Sequence, residues 1–240
     1  MVALAIRIPW SRVVAILTDE TALTALRLSL VVATTSALLS FLLGFPLAWI
    51  LARVAFAGKT LVRGVVVLPL VMPPVVAGVG LLAAFGRRGV AGALLYDWFG
   101  IQLTFTTAAA VIAATFVSFP LAVLALESGL RGLDDRLEGA AATMGASRWY
   151  VLRRVTLPLL RPQIAAAFVL AWARALGEFG ATITFAGNLS GRTQTLPLAV
   201  FERLQSDQGE AFALSMLLIA IALGVILALR GRFLGGRSGP

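Results

Sequence analysis

The 240-residue chain has no cysteine and no histidine. This excludes disulfides, thiolate nucleophiles and histidine-ligated metals. Charge is also scarce. Asp, Glu, Lys and Arg make up 13% of the residues, against about a quarter in an ordinary soluble domain. Acidic residues are the rarer sign, 11 against 20 basic. A membrane-embedded enzyme would need converging acids, bases or metal ligands, and the apolar stretches hold few. What the chain does have is hydrophobic residues, 60% of the total, in blocks of about twenty or more, enough to span about 30 Å of hydrocarbon as helices. The strict polar–apolar alternation of a transmembrane barrel is absent. The fold class is therefore all-α, a polytopic helical membrane protein.

Five spans are expected, at about residues 26–51, 65–85, 105–126, 164–185 and 211–229. Gly44 and Pro46 fall near the far end of the first and could kink it. The second contains Pro69, Pro73 and Pro74 and is expected to be distorted or broken. A broken helix at membrane depth is buried in protein or lines a cavity; a proline-kinked packing helix is the plainer reading. Residues 1–21, interrupted by Arg7, Pro9 and Arg12, do not read as a signal peptide. They read as an interfacial helix, and a sixth span exists only if they also cross. Residues 230–240 are Gly- and Arg-rich and read as a disordered tail.

Basic residues set the expected orientation. The turn after the first span holds three, the loop 131–162 six and the tail three. The alternate loops hold Arg87 with Arg88 and Arg192 with Arg203. Twelve against four favours a cytoplasmic loop 131–162 and C-terminus. The net charge of +9 follows from this asymmetry and does not call for nucleic acid.

The polar stretch Glu138–Pro162 reads as two short helices joined at a glycine. Asp134 or Asp135 can cap the first, with Glu138 three residues after Asp135 as in a capping box. Ala140, Ala141 and Ala142 continue it, and Gly145 suits a left-handed turn. Ser147 can cap the second, which Pro158 ends. Helices this short do not stabilise themselves, so the stretch is a docking element or a plain connector. In the fourth span, Arg174 and Glu178 stand one turn apart on one face. Ionisable groups at this depth are costly and often functional; they gate a pathway or form an internal pair that fixes packing. Ala173, Gly177 and Ala181, and likewise Ala220, Gly224 and Ala228, form small-residue stripes for close helix approach, within the subunit or between copies.

Glu138-Gly-Ala-Ala-Ala-Thr-Met-Gly145-Ala-Ser, followed by Leu157-Pro158, resembles the EAA loop of ABC importer permeases. Gly139 stands where that family usually has Glu. Leu68–Gly78, Leu95-Tyr-Asp-Trp-Phe-Gly100 and Arg174-Ala-Leu-Gly-Glu-Phe-Gly-Ala-Thr-Ile-Thr-Phe185 resemble the molybdate branch, and the Gly-Glu-Phe-Gly-Ala run is shared with sulfate permeases. The resemblance covers about residues 22–229. It implies a type I importer permease domain there, working as a homodimer by alternating access. Two cytoplasmic ATPase subunits would receive the loops through Glu138, Ala140, Ala141, Gly145, Leu157 and Pro158, and would hold ATP and Mg; no cofactor is expected in this chain. An extracytoplasmic binding protein would deliver molybdate or tungstate, with sulfate or thiosulfate as the runner-up. A stand-alone channel would not need such a loop. Arg174, Glu178, Thr182 and Thr184 are then candidates for a gate or pathway. A glutamate repels a dianion, so the threonines are the better oxyanion contacts. Gly58-Lys59-Thr60 ends like a phosphate loop, but Arg53 occupies the position of its first glycine, so no nucleotide site is expected here.

Overall fold

The computed structural model describes residues 2–233, and among them there is helix and no strand. The central pillar is α3, Glu20–Arg53, which packs most extensively on α7, Thr107–Arg131. The contact is made of small residues: Ala33, Ser36, Ala37 and Ser40 are fully buried, as are Ala110, Ala113, Ala114 and Ser118. Small side chains let the two backbones approach, and lipid provides no hydrophobic drive to replace that packing. The serines add polar ties. Ser36 Oγ donates to Val111 O at 3.0 Å, and the Ser40 and Ser118 hydroxyls pair at 3.0 Å, each bond contributing about 0.6 kcal/mol by membrane-protein precedent. Gly44 rests against Val123. Pro46 lies inside the helix without ending it.

The second crossing is broken. α4, Lys59–Val71, and α5, Pro74–Phe85, meet at 115°. Pro73 is extended and Pro74 opens α5, so the prolines sit where a missing N–H is harmless. The expected loop after it contains a further helix, α6, Val90–Phe99, with the Arg87 guanidinium stacked 4.4 Å over the Tyr96 ring.

After α7 come α8, Asp135–Thr143, and α9, Arg148–Val151; a π-helical turn, Leu152–Thr156, then leads into α10, Leu157–Leu176. Pro158 therefore does not end the second short helix. The wider turn bonds Leu157 N to Leu152 O and absorbs the proline that a regular α-turn would reject. The rod from 148 to 176 is about 43 Å long. It ends at Leu176, and a separate helix, α11, Gly180–Phe185, follows, so the expected span 164–185 is interrupted. The supposed stripe Ala173, Gly177, Ala181 is split by the same break. On α13, Gln208–Phe233, Ala220, Gly224 and Ala228 are exposed, so they do not pack within the subunit. Residues 230–233 continue α13 instead of forming a tail; 234–240 lie outside the described residues.

Among the described residues, four helical stretches (α3, α9–α10, α7 and α13) are long and apolar enough to cross a membrane, and the bent pair makes up to a fifth. The N-terminal α1, Val2–Arg7, and α2, Val13–Thr18, are too short to cross, about 9 Å each. They join the far end, where α12, Leu196–Ser206, precedes α13. Ile8 and Ile16 pack against Leu196, Ala199 and Leu214, and Arg12 lies 3.5 Å from both Asp207 and Glu210. The Glu210 and Gly209 amides, which Asp207 caps, hold its carboxyl below the usual range, with Arg12 adding to the effect.

Candidate functional site

Two polar assemblies stand out, one at the loop end of the bundle and one along α10–α11. At the loop end, Asp134 caps α8 by accepting from Arg136 N at 3.0 Å. With Asp134 as the N-cap, Leu137 and not Glu138 occupies the capping-box position. Glu138 Oε1 instead accepts from Arg53 Nη2 at 3.2 Å and from the buried Thr156 Oγ1 at 2.8 Å. Ala140 is exposed but Ala141 is buried, so only the first alanine of that pair belongs to the outer surface. Gly145 turns with φ +83° into open space, a conformation costly for any residue with a Cβ. Ser147 caps α9, accepting from Tyr150 N at 3.3 Å. Met144, Trp149 and Tyr150 are exposed around this turn. Leu157 and Pro158 are half-buried at the base of α10.

Beside this loop is a cluster that sequence reasoning missed. Glu127, 4% exposed, is paired with Arg63 of α4 and lies 2.9 Å from Arg131. Arg131 also donates to Leu51 O of α3 at 3.2 Å. The signal was available: an acid at the end of an apolar run, with an arginine four residues on. Gly58 opens α4 with φ +87°, and Lys59 donates to Val54 O, so Gly58-Lys59-Thr60 is the cap and first turn of α4, not the short turn expected.

The second assembly is the break at Gly177–Phe179. Arg174 Nη1 lies 2.7 Å from Glu178 Oε2, so the expected pair is present. Glu178, 2% exposed, lies beyond the end of α10, and its other oxygen accepts from Ala181 N at 2.8 Å. The carboxylate therefore ties the last turn of α10 to the first turn of α11, which it caps. Phe179 stacks on Phe201 of α12, ring centres 5.1 Å apart. Thr182 is buried and its hydroxyl has no partner among the described residues. Thr184 differs, because its hydroxyl bonds to Gly180 O and Ala181 O. The loop residues and this break lie at opposite ends of the 20-residue α10, separated by about 30 Å of helix.

Residues 44–237 match the model of a family described as binding-protein-dependent transport system inner membrane component. This chain belongs to that family. It is thus a multi-pass inner-membrane protein. Among family members, the molybdenum transport system permease protein ModB of Escherichia coli K12 is 49% identical over 88% of this chain and 92% of its own length. The ModB of Haemophilus influenzae is 47% identical over 90% and 94%. Solved structures share the fold. A chain of a bacterial ABC transporter that imports the acidic polysaccharide alginate superposes with TM-score 0.78, 19% identity and coverage of 98% of this chain and 87% of its own. A chain of a methionine ABC transporter in inward-facing conformations gives TM-score 0.69 at 17% identity, covering 91% and 99%. Those two likenesses concern the fold alone.

Proposed function

We propose that this chain is the membrane-spanning subunit of an ATP-driven importer for molybdate or tungstate. The observation that carries the reading is the near-full-length similarity, at 49% identity, to a permease named for molybdenum transport. The chain works as a pair of copies. Its loop end, 131–162, and its C-terminus face the cytoplasm, in accord with the twelve-to-four distribution of basic residues. Each loop enters a cleft on one ATPase subunit, which holds the ATP and Mg. The exposed Gly139, Ala140, Met144 and Gly145 supply the shape that fits, and Leu157 and Pro158 set its base. A binding protein delivers the oxyanion at the far end. Arg174 and Glu178 hold the break at which the pathway opens and closes. Thr182, with its unpaired buried hydroxyl, is the better oxyanion contact, since Thr184 is satisfied by its own helix.

The test is oxyanion-dependent ATPase activity of the complex reconstituted with its binding protein. Molybdate is expected to stimulate it and sulfate is not; stimulation by sulfate alone would overturn the assignment. Gly145→Val forces a β-branched residue to φ +83° and costs about 1–3 kcal/mol of local strain. Such a loop should lose its ATPase subunit or hydrolyse ATP without uptake. Normal uptake by this variant would refute the docking role.

A further inference from the structure

We infer that Glu138 is a positioning residue that ties the docking loop to the end of α3, and is not itself a contact for the ATPase; this rests on the docking reading above. Its carboxylate turns inward. It joins three elements: Arg53, the last residue of α3, Glu138 on α8, and Thr156 in the π-turn. Thr156 is 1% exposed, so its hydroxyl is committed to this contact. A groove of about 710 Å³ runs between Trp49 of α3 and Gly139, Ala142 and Trp149 of the loop. Glu138 and Thr156 line this groove, and the Arg53–Glu138 pair ties the loop to α3 beside it. The same final turn of α3 receives the second clamp, in which Arg131 holds Leu51 O and Glu127 holds Arg131 and Arg63. A displacement of α8 is therefore delivered to α3 and, through Glu127, to the start of the broken crossing. A contiguous set of charge-assisted bonds between rigid helices is a physical route for coupling. Gly139 and Ala140, next to Glu138, face outward, which leaves the docking shape to small side chains and the tie to the acid.

The test uses the full complex in proteoliposomes, with the variants Glu138→Gln, Thr156→Val and Thr156→Ser. The chain has no cysteine, so cysteines for spin labels are introduced at the exposed Ala55 and Arg136, outside the docking surface. Glu138→Gln and Thr156→Val should retain ATPase subunit at the parent level and broaden the label–label distance distribution. Uptake per ATP hydrolysed should fall about three- to tenfold. Thr156→Ser, which keeps the hydroxyl, should recover most of what Thr156→Val loses. Loss of the ATPase subunit from Glu138→Gln with label distances unchanged would make Glu138 a direct contact and overturn the inference while leaving docking intact. Parent-like values of all three readouts in both variants would overturn it too. A parent complex that retains no ATPase subunit would remove the docking reading and this inference together.

Discussion

The chain breaks twice within its membrane crossings, and the two breaks are made by different chemistry. Between α4 and α5 the cause is covalent. Pro73 forces Met72 out of helical conformation, Met72 is extended at ψ 136°, and Pro74 starts the next helix. Between α10 and α11 no proline is present. There Gly177 closes α10 through its backbone N–H to Ala173 O, and a single buried carboxylate, paired with Arg174, caps the next helix at Ala181 N. The first break is redundant, since two prolines specify it. The second rests on one side chain. The two halves that follow the breaks also touch backbone to backbone. A Cβ on Gly78 of α5 would lie 1.7 Å from Thr184 Oγ1 and 2.9 Å from Ala181 Cα, and one on Gly180 would lie 2.7 Å from Pro74 Cβ.

That contact is where the comparison can be broken most severely. Gly78→Leu has the Ala181 backbone in its way as well as the Thr184 hydroxyl. It should cost more than about 3 kcal/mol and abolish accumulation of folded protein, or lower the midpoint followed by fluorescence of the five tryptophans. A parent-like midpoint would mean that α5 and α11 are not locked. Glu178→Ala comes next. It removes a buried partner of Arg174 and a helix cap together, for about 3 kcal/mol. Glu178→Gln keeps an oxygen for Ala181 N but gives up the charge, and should cost about 1–2 kcal/mol. Equal losses for Ala and Gln would show that the ion pair, not the cap, makes the break. Unchanged uptake kinetics in Glu178→Gln at normal expression would assign the residue to packing instead of gating.

The same contrast explains what could be read from the residues alone. Proline acts through its own ring, so the break at 72–74 was legible, as were the apolar runs that became α3, α7 and α13. The Ser–Ala face between α3 and α7 was not, because it carries no charge or periodic large residue to mark it. Residue spacing alone makes Glu178 part of a continuous helix, since Ala-Leu-Gly-Glu-Phe-Gly has no breaker but glycine. What decided the outcome was a carboxylate accepting from a backbone amide three residues ahead of it, a local cap that the same spacing does not distinguish from a continuing helix. For Glu138 the spacing of a helix cap misleads for a different reason. Its actual partners are 85 and 18 residues away in the sequence, beyond what local spacing reports. Pro158 failed in the opposite direction: it looked like a stop, and a π-turn let the helix pass.

The smallest effect is expected at Pro74, where the redundancy can be measured. Pro74 is the first residue of α5, where the N–H it lacks would have been unpaired. The first turn remains closed without it, because Ala77 N bonds to Pro73 O at 3.0 Å. Alanine also keeps the Cβ that meets Gly180. Pro74→Ala should therefore cost less than about 1 kcal/mol, mostly through added freedom in the unfolded chain, a midpoint shift of less than about 4 °C at this length. A larger shift, or a distance between labels on α4 and α5 that lengthens towards a straight helix, would show that Pro73 alone does not hold the 115° bend. The proline break would then rest on a single residue, as the one at Glu178 does.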